Sequence, residues 1–308
     1  MRFALEALFA DVPAEQIAEA RAFYRARAAG RGPATFEELK EVRARTSAPQ
    51  AADPPALEET VEAAGVRVPV RIFLPADGPP RGVCLDIHGG GFYLGTSAQD
   101  DARHRALADA LRIAVVGVDH RLAPEHPWPA APDDCEAVAL WLVEQAETRF
   151  GTSRLAVGGS SAGATLALTT LLRLRDRGVA DRFTGAALRF GTWDLSARTP
   201  SGRLIADEYF LQAYVGHVPD RDRTLPDISP LYADLSGLPP ALLVVGGEDI
   251  LLEDNLTMAG RLSAAGNDVD LRVYPAAPHG FTGHRTALAA TAVDGVNSWL
   301  HDRISGHL

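Results

Sequence analysis

The chain has 308 residues, of which 46% are hydrophobic and 23% are charged, and its formal net charge is −10. This length accommodates one large α/β domain or two small ones, and the composition is that of an ordinary globular protein. The negative charge argues against nucleic acid and against an anionic membrane surface as partners.

Neither a membrane span nor a secretory leader is expected. No stretch approaches the roughly 20 consecutive apolar residues that cross a bilayer, and Glu6 interrupts the short apolar run near the N-terminus. The two cysteines, Cys84 and Cys135, lie in a predicted strand and a predicted helix. We expect both to be buried thiols in a reducing compartment, and the protein to be cytoplasmic.

The N-terminal residues 1–45 are predicted to be helical and to lie outside the main domain. Apolar residues recur there at helical spacing, and the segment Thr35–Glu38 fits a capping box that opens a second helix. A proline-rich linker, residues 46–56, follows. We therefore assign residues 1–55 to an N-terminal helical cap segment with its linker, and residues 56–308 to the main domain.

After the linker, the pattern changes to strands that alternate with helices. Residues 61–74 alternate in polarity and are broken by Gly65, which predicts two strands joined by a turn. Further strands are predicted at 83–87, 113–118, 155–157, 186–190, 241–245 and 269–274. Helices are predicted at 101–112, 132–148, 162–174, 253–265 and 287–304. This alternation predicts an α/β fold, in which a mostly parallel central sheet carries helices on both faces.

One insertion, at about residues 195–230, interrupts the alternation. It contains a predicted helix from Leu204 to Val215, followed by Gly216. Ligands of open α/β sheets bind beyond the carboxyl ends of the strands. We therefore expect the insertion and residues 1–45 to form a lid over that edge; the alternative is that both are surface segments with no role in binding.

The segment Gly159–Gly163 matches G-x-S-x-G and joins a predicted strand to a predicted helix. Glycines at both flanks let the backbone close so tight a corner without side-chain clashes. The second serine, Ser161, is then exposed at the tip, beside the positive N-terminus of the helix. The motif predicts that Ser161 is a nucleophile; the alternative is a glycine-rich turn.

A serine nucleophile needs a base, and the base needs an acid that orients it. Asp249 and His279 follow two later strands of the predicted sheet, so both fall at the same carboxyl edge as Ser161. The chain order Ser, Asp, His fits a catalytic triad, and imidazole can both accept and return a proton near neutral pH. On topology alone, His284 could replace His279, and Asp194 could replace Asp249.

A glycine run, His88–Phe92, follows the predicted strand at 83–87. Three successive glycines let the backbone approach a substrate closely. Their N–H groups, together with that of Ala162, can stabilise a developing oxyanion. A phosphate site is the alternative, but no lysine follows in P-loop register and G-x-G-x-x-G is absent.

The segment Asp119–Glu125 contains neither a nucleophile nor the spacing of metal ligands, and we predict no metal site. We interpret the segment as structural. An ion pair between Arg121 and Glu125, together with the prolines, is expected to hold this loop beside the glycine run.

Five motifs occur together in chain order: His88–Phe92, Asp119–Glu125, Gly159–Gly163, Asp249–Leu251 and His279–Phe281. In this combination the chain resembles the hormone-sensitive-lipase-like family of bacterial esterases, from residue 60 to residue 305. The resemblance implies an α/β-hydrolase fold with a helical cap.

The same resemblance implies roles for six residues. The implied catalytic triad is Ser161, Asp249 and His279, and the implied oxyanion donors are Gly90, Gly91 and Ala162. The chain departs from the family pattern in having serine at position 160, alanine at 164 and isoleucine at 250. None of these departures alters a member of the implied triad.

These features predict a serine carboxylesterase that hydrolyses small, short-acyl esters through an acyl-enzyme, without a cofactor. An amidase or a deacetylase of a specific metabolite would use the same chemistry, and a non-catalytic small-molecule binder is the alternative from another class. The aromatic residues expected to wall the substrate pocket are Tyr93, Trp193, Tyr209, Phe210 and Tyr214. Besides a small-molecule ester, we expect one partner, a second copy of the chain paired through the last strand.

Overall fold

In the described part of the chain, an eight-stranded sheet forms the centre of the fold. The computed structural model describes residues 8–27, 30–45 and 52–305. The strands, in chain order, are β1 (Leu57–Ala63), β2 (Val66–Phe73), β3 (Val83–Ile87), β4 (Ala114–Val118), β5 (Leu155–Ser160), β6 (Phe183–Arg189), β7 (Ala241–Gly246) and β8 (Val269–Tyr274). Their spatial order is β1-β2-β4-β3-β5-β6-β7-β8.

The described residues form nine α-helices, joined in places by short 3₁₀ turns. The helices are α1 (Ala14–Arg25), α2 (Phe36–Arg45), α3 (Asp101–Leu111), α4 (Ala130–Phe150), α5 (Ala162–Asp176), α6 (Pro200–Leu204), α7 (Tyr209–Val215), α8 (Leu252–Ala264) and α9 (Ala287–Ser305). In the main domain, the predicted strands and helices are confirmed outside the insertion, with ends displaced by a few residues. Among the described residues, no helix is long and apolar enough to cross a bilayer.

Six strands, β4-β3-β5-β6-β7-β8, run parallel, and the hairpin β1–β2 joins them through an antiparallel pairing of β2 with β4. The hairpin turns at Ala64 and Gly65, both with positive φ. The predicted mostly parallel sheet is therefore confirmed.

Helices cover both faces of the sheet, and this explains why its central strands are mostly apolar at successive positions. The side chains of β3 alternate: Val83, Leu85 and Ile87 pack under α4 and α5, while Cys84 packs on the opposite face with α3 and α9. A strand buried on both faces needs apolar residues at successive positions. Cys84 and Cys135 are both buried free thiols, and burial raises the pKa of the Cys84 thiol to about 12.

The prediction of one continuous helix from Leu204 to Val215 was wrong. The insertion forms two short helices, α6 and α7, separated by residues 205–208. Ile205 and Tyr214 are both buried. In a single helix, side chains nine positions apart point to opposite faces. The break between the two helices therefore lets both side chains enter the core.

The N-terminal segment packs against the main domain at two places. Helix α1 lies on α9, and the N–H of Ala10 donates to the carbonyl of Val273 on the outer edge of β8 (2.8 Å). Thr35 caps α2 by accepting from the N–H of Glu38, but the Glu38 carboxylate accepts from Ala34 rather than from Thr35. Most of the predicted linker, residues 46–51, lies outside the described residues.

Candidate active site

The parallel register brings the ends of four strands to one edge of the sheet. Ile87 at the end of β3 pairs with Gly159 of β5, and Ser160 of β5 pairs with Arg189 of β6. The loops that follow β3, β5, β7 and β8 therefore lie beside one another at this carboxyl edge. This is where open α/β sheets bind ligands.

The loop after β5 is a tight strand-to-helix turn with Ser161 at its tip. Ser161 has φ 53° and ψ −122°, a conformation that non-glycine residues rarely adopt, and its N–H donates to the carbonyl of Arg189. A Cβ at Gly159 would lie 2.3 Å from the carbonyl oxygen of Gly163, and a Cβ at Gly163 would lie 2.0 Å from that of Ile87. Both flanking positions therefore require glycine, which explains the motif around the serine.

Ser161, His279 and Asp249 form a continuous hydrogen-bonded chain. The Nε2 atom of His279 lies 2.9 Å from Oγ of Ser161, and its Nδ1 atom lies 3.0 Å from Oδ2 of Asp249. Asp249 is buried, and its Oδ1 also accepts from the N–H of Leu251 (2.8 Å). With Nδ1 protonated toward Asp249, Nε2 is left free to accept the serine proton.

The two alternative residues left open by the sequence lie elsewhere. Nδ1 of His284 is 3.2 Å from the hydroxyl of Tyr24, and its ring packs against α1. Asp194 accepts hydrogen bonds from the backbone N–H groups of residues 196, 198 and 199, so it stabilises the start of the insertion. The structure brings His279 and Asp249 to Ser161, and neither alternative takes part.

The glycine run lies directly against the serine turn and carries free backbone donors. Gly90 and Gly91 have φ values of 116° and 60°, and a Cβ at Gly90 would lie 2.2 Å from the carbonyl oxygen of Leu94. Within the described chain, the N–H groups of Gly90, Gly91 and Ala162 donate to no recorded acceptor. Because Ala162 is the first residue of α5, its N–H also lies at the positive end of the helix dipole.

Two buried histidines support the glycine run from behind. The rings of His88 and His120 stack at a centroid distance of 4.2 Å, and Nδ1 of His88 lies 2.7 Å from the carbonyl oxygen of Gly89. Burial lowers the pKa of both imidazoles, that of His120 to about 3. Both rings are therefore neutral at physiological pH, and this pair packs as an uncharged layer beneath the loop.

A cavity of about 480 Å³ opens in front of Ser161. Of the five aromatic residues expected to wall it, Tyr93 and Phe210 line the cavity, and Tyr209 lies one layer away against Tyr93. Gly32 and Glu208 also line it, so both segments expected to form a lid border the cavity.

Two of the predicted pocket residues lie in the core instead. Trp193 is fully buried and donates from Nε1 to Asn255 (3.0 Å), while Tyr214 is buried and stacks on Phe92 at 4.0 Å. Neither side chain lines the cavity. Aromatic residues fill cores and binding sites for the same physical reason, the large area that they bury.

The predicted ion pair between Arg121 and Glu125 is wrong. Arg121 pairs with Asp134 at the start of α4 (2.8 Å), and Glu125 pairs with Arg43 of α2 (2.7 Å). Arg43 also donates to the carbonyls of Tyr93 and Ala123. It thus ties α2 to the loop that follows the glycine run, a role for which the sequence carries no motif.

A buried charged cluster beside the serine turn was also missed. Asp86 on β3 and Arg189 on β6 lie close to Asp100, Arg103 and His104, at the start of α3. A metal could be held by such acids and imidazole, but the two guanidinium groups already donate to the carboxylates, so we interpret the cluster as an ion-pair network. Its sequence signal is a charged residue inside each of two otherwise apolar strands.

Comparison with known proteins identifies the family. The sequence matches the profile of an α/β hydrolase fold family over residues 84–283. The chain belongs to this α/β hydrolase family. The resemblance to hormone-sensitive-lipase-like esterases is thereby confirmed.

Among curated relatives, carboxylesterase NlhH of Mycobacterium tuberculosis is 35% identical over 283 residues, which cover 84% of this chain and 88% of NlhH. Carboxylic ester hydrolase LipN of the same organism is 36% identical over 70% of this chain, but the match spans only 61% of LipN. Among solved structures, esterase LipW from Mycobacterium marinum has a TM-score of 0.78 at 32% identity and covers 93% of this chain and 96% of its own.

Proposed function

We propose that this protein is a serine carboxylesterase that hydrolyses small, short-acyl esters through an acyl-enzyme. The observation that carries the proposal is the hydrogen-bonded chain from Ser161 through His279 to Asp249, with both contacts of the imidazole between 2.9 and 3.1 Å. The names of the esterase relatives support the same reaction class.

In the first half-reaction, Oγ of Ser161 attacks the ester carbonyl carbon while its proton passes to Nε2 of His279. The tetrahedral intermediate collapses by cleavage of the carbon–oxygen bond, and His279 returns the proton to the departing alcohol. Asp249 stabilises the imidazolium that forms between these steps and does not itself take up the proton.

In the second half-reaction, water replaces the alcohol. His279 takes a proton from the water as it attacks the acyl-enzyme, and the same proton returns to Oγ of Ser161 as the carboxylic acid leaves. In both halves the carbonyl oxygen becomes negatively charged. The free N–H groups of Gly90, Gly91 and Ala162 supply donors for that charge, and they need no reorganisation during the reaction.

Small substrates are favoured by the walls of the cavity. Tyr93 and Phe210 lie 6.2 Å apart between ring centroids, and both border the space in front of Ser161. Bulky rings at this position limit the length of acyl chain that fits. An amidase or a deacetylase would use the same residues, whereas a non-catalytic binder would not need the aligned imidazole.

The decisive variant is Ser161→Ala. We expect it to lower kcat for 4-nitrophenyl acetate by about 10³-fold or more, because no other group forms the acyl-enzyme. Ser153→Ala, an exposed position before β5, is the matched control and should keep wild-type kcat. If Ser160→Ala abolishes turnover while Ser161→Ala retains it, the nucleophile has been placed one residue out of register.

Acyl length is tested with 4-nitrophenyl esters from acetate to decanoate. Each added methylene that fits is worth about 0.8 kcal/mol of burial, so kcat/KM should rise along the series and then fall where the chain meets the cavity wall. A rise that continues to decanoate would contradict the preference for short acyl groups.

A further inference from the structure

One side of the catalytic cavity leads toward the buried charged cluster rather than toward the lid. Ser160, Arg189 and Val293 line this side, together with Asp100 and Arg103. Behind it lies a second cavity of about 60 Å³, which also has Arg103, Arg189 and Val293 in its walls. The two arginines therefore border both the reaction site and the space behind it.

Arg103 is fully engaged within the cluster. Its Nη2 donates to Asp86 at 2.5 Å, and its Nε donates to Asp100 at 3.1 Å. Its Nη1 makes a longer contact of 3.4 Å to Asp86. Each nitrogen of this guanidinium group thus has a carboxylate partner, and Arg103 needs no further ligand.

Arg189 is not engaged in this way. Its side chain is only 9% exposed, yet its two hydrogen bonds, to Asp86 and to the carbonyl of Gly159, are long, at 3.3 and 3.4 Å. Its Nη1 donates to no recorded acceptor in the described chain. A guanidinium group this little exposed has lost most of its hydration, and an additional anion at Nη1 would offset part of that cost.

The charges around Arg189 also favour an additional anion beside it. Burial and the neighbouring Arg103 lower the pKa of the Arg189 guanidinium. Asp86 cannot compensate Arg189 alone, because it also accepts from Arg103 and lies 3.0 Å from Nε2 of His104. Of the two arginines beside the cavity, Arg189 therefore has its positive charge less well balanced by neighbouring carboxylates than Arg103.

We propose that Arg189 forms a subsite for a carboxylate on the substrate, so that the preferred ester carries one negative charge away from the reacting bond. The inference rests on the proposed esterase function. A carboxylate oxygen can accept from Nη1 of Arg189, the one nitrogen of this guanidinium group without an acceptor among the described residues, and a single charge suits a site that already contains Asp86 and Asp100. The carboxylate binds and orients the substrate and takes no part in bond cleavage.

The first experiment compares charged and neutral esters on the wild-type protein. One pair carries the charge in the acyl half: mono-4-nitrophenyl glutarate and its neutral methyl ester. The other carries it in the alcohol half: 4-acetoxybenzoate and methyl 4-acetoxybenzoate. We expect kcat/KM to be about 10- to 100-fold higher for the charged member of one pair, as a charge-assisted hydrogen bond allows. The preferred pair identifies which half of the ester faces Arg189.

The second experiment removes the charge at Arg189. Arg189→Gln should abolish the ratio of charged to neutral kcat/KM, and Arg189→Lys, which keeps the charge without the planar fork, should retain part of it. Arg154→Gln is the control, because Arg154 is an exposed arginine at the opposite end of the sheet whose guanidinium group donates to a backbone carbonyl. It should keep the wild-type ratio.

The outcomes separate this inference from the function on which it rests. If no ester in either pair is hydrolysed, the proposed function fails. If neutral esters are hydrolysed and neither charged member is preferred, the esterase assignment stands and the carboxylate subsite is overturned. A preference that persists in Arg189→Gln also overturns it. Because the wild-type comparison needs no variant, a folding defect in Arg189→Gln cannot obscure the answer.

Discussion

The loops at the carboxyl edge of the sheet and the two segments that border them are held in place by different interactions. These segments are residues 8–27 with 30–45, and residues 195–230. Backbone geometry holds the loops: Ser161 is anchored by its N–H to the adjacent strand, and glycines allow the close approach of neighbouring turns. Individual side chains hold the bordering segments, among them Arg43 from α2 and Tyr214 from α7.

This difference has a functional consequence. A substitution at one of the anchoring side chains can move a bordering segment without altering the strand register that aligns Ser161, His279 and Asp249. We therefore expect the sheet to determine which reaction takes place, and the bordering segments to determine how well the glycine loop is supported and how large a substrate fits. Four experiments test this division, from the largest expected effect to the smallest.

The strongest test concerns Arg43, which joins the two regions. Arg43→Met removes the donors to the carbonyls of Tyr93 and Ala123, so the loop that follows the glycine run loses this tie to α2 and supports the run less firmly. We expect kcat to fall about tenfold while KM changes little, since the misplaced N–H groups act mainly on the transition state. Arg45→Met, an exposed neighbour paired with Glu41, should behave as wild type. An unchanged kcat in Arg43→Met would show that the loop holds its shape without α2.

Phe210 and Tyr214 belong to the same helix, α7, but Phe210 lines the cavity and Tyr214 lies in the core. Phe210→Ala should shift the maximum of the acyl-length profile to longer esters by several-fold in kcat/KM, because the ring lines the cavity. Tyr214→Ala should leave the profile in place and instead lower the free energy of unfolding by about 3–5 kcal/mol, since that ring stacks on Phe92 in the core.

Leu204→Ala is the control for this pair, because Leu204 is 67% exposed and does not line the cavity. It should change neither the acyl-length profile nor stability appreciably. If Phe210→Ala keeps the parent profile, the acyl limit lies in the loops of the sheet rather than in α7.

The neutral histidine pair beneath the glycine run predicts acid sensitivity of the fold. The pKa of His120 is about 3 in the folded protein, well below the ordinary value near 6.5 that it regains on unfolding. Between these values the unfolded state binds the extra proton, so stability falls as the pH decreases, with a limiting slope of about 1.4 kcal/mol per pH unit for one group.

Urea unfolding at pH 7, 6 and 5 measures this slope in wild type and in His120→Phe, which keeps a ring against His88. The variant should lose stability less steeply. Comparing the two proteins removes the opposite contribution of Asp254, whose pKa burial raises to about 6. His126→Asn, an exposed position in the same loop, should keep the wild-type slope; identical slopes in all three proteins would contradict the prediction.

The smallest expected effect concerns the outer edge of the sheet. Ala10 occupies the edge of β8 at Val273, while residues 269–271 receive no backbone partner on that side from the described chain. We expect the free part of the edge to pair with a second copy. Sedimentation velocity at micromolar concentration should show a dimer, and a lone species at 32.8 kDa would contradict this pairing.

The sequence by itself predicted most of the sheet and the position of the candidate triad. Strand and helix periods are local properties of the chain, and the carboxyl ends of successive parallel strands meet at one edge whatever the details of packing. The residues that follow those strands, Ser161, Asp249 and His279, could therefore be assigned to one site before any distance was known.

Only the tertiary structure decided which side chains of the bordering segments face the cavity. Tyr214 and Trp193 have the same apolar character as Phe210, and their burial depends on what packs against them rather than on their own chemistry. The ion pairs of Arg43 and Arg189 join residues far apart in the chain, and no local period relates such partners. The cap and the proposed carboxylate subsite both depend on these long-range contacts.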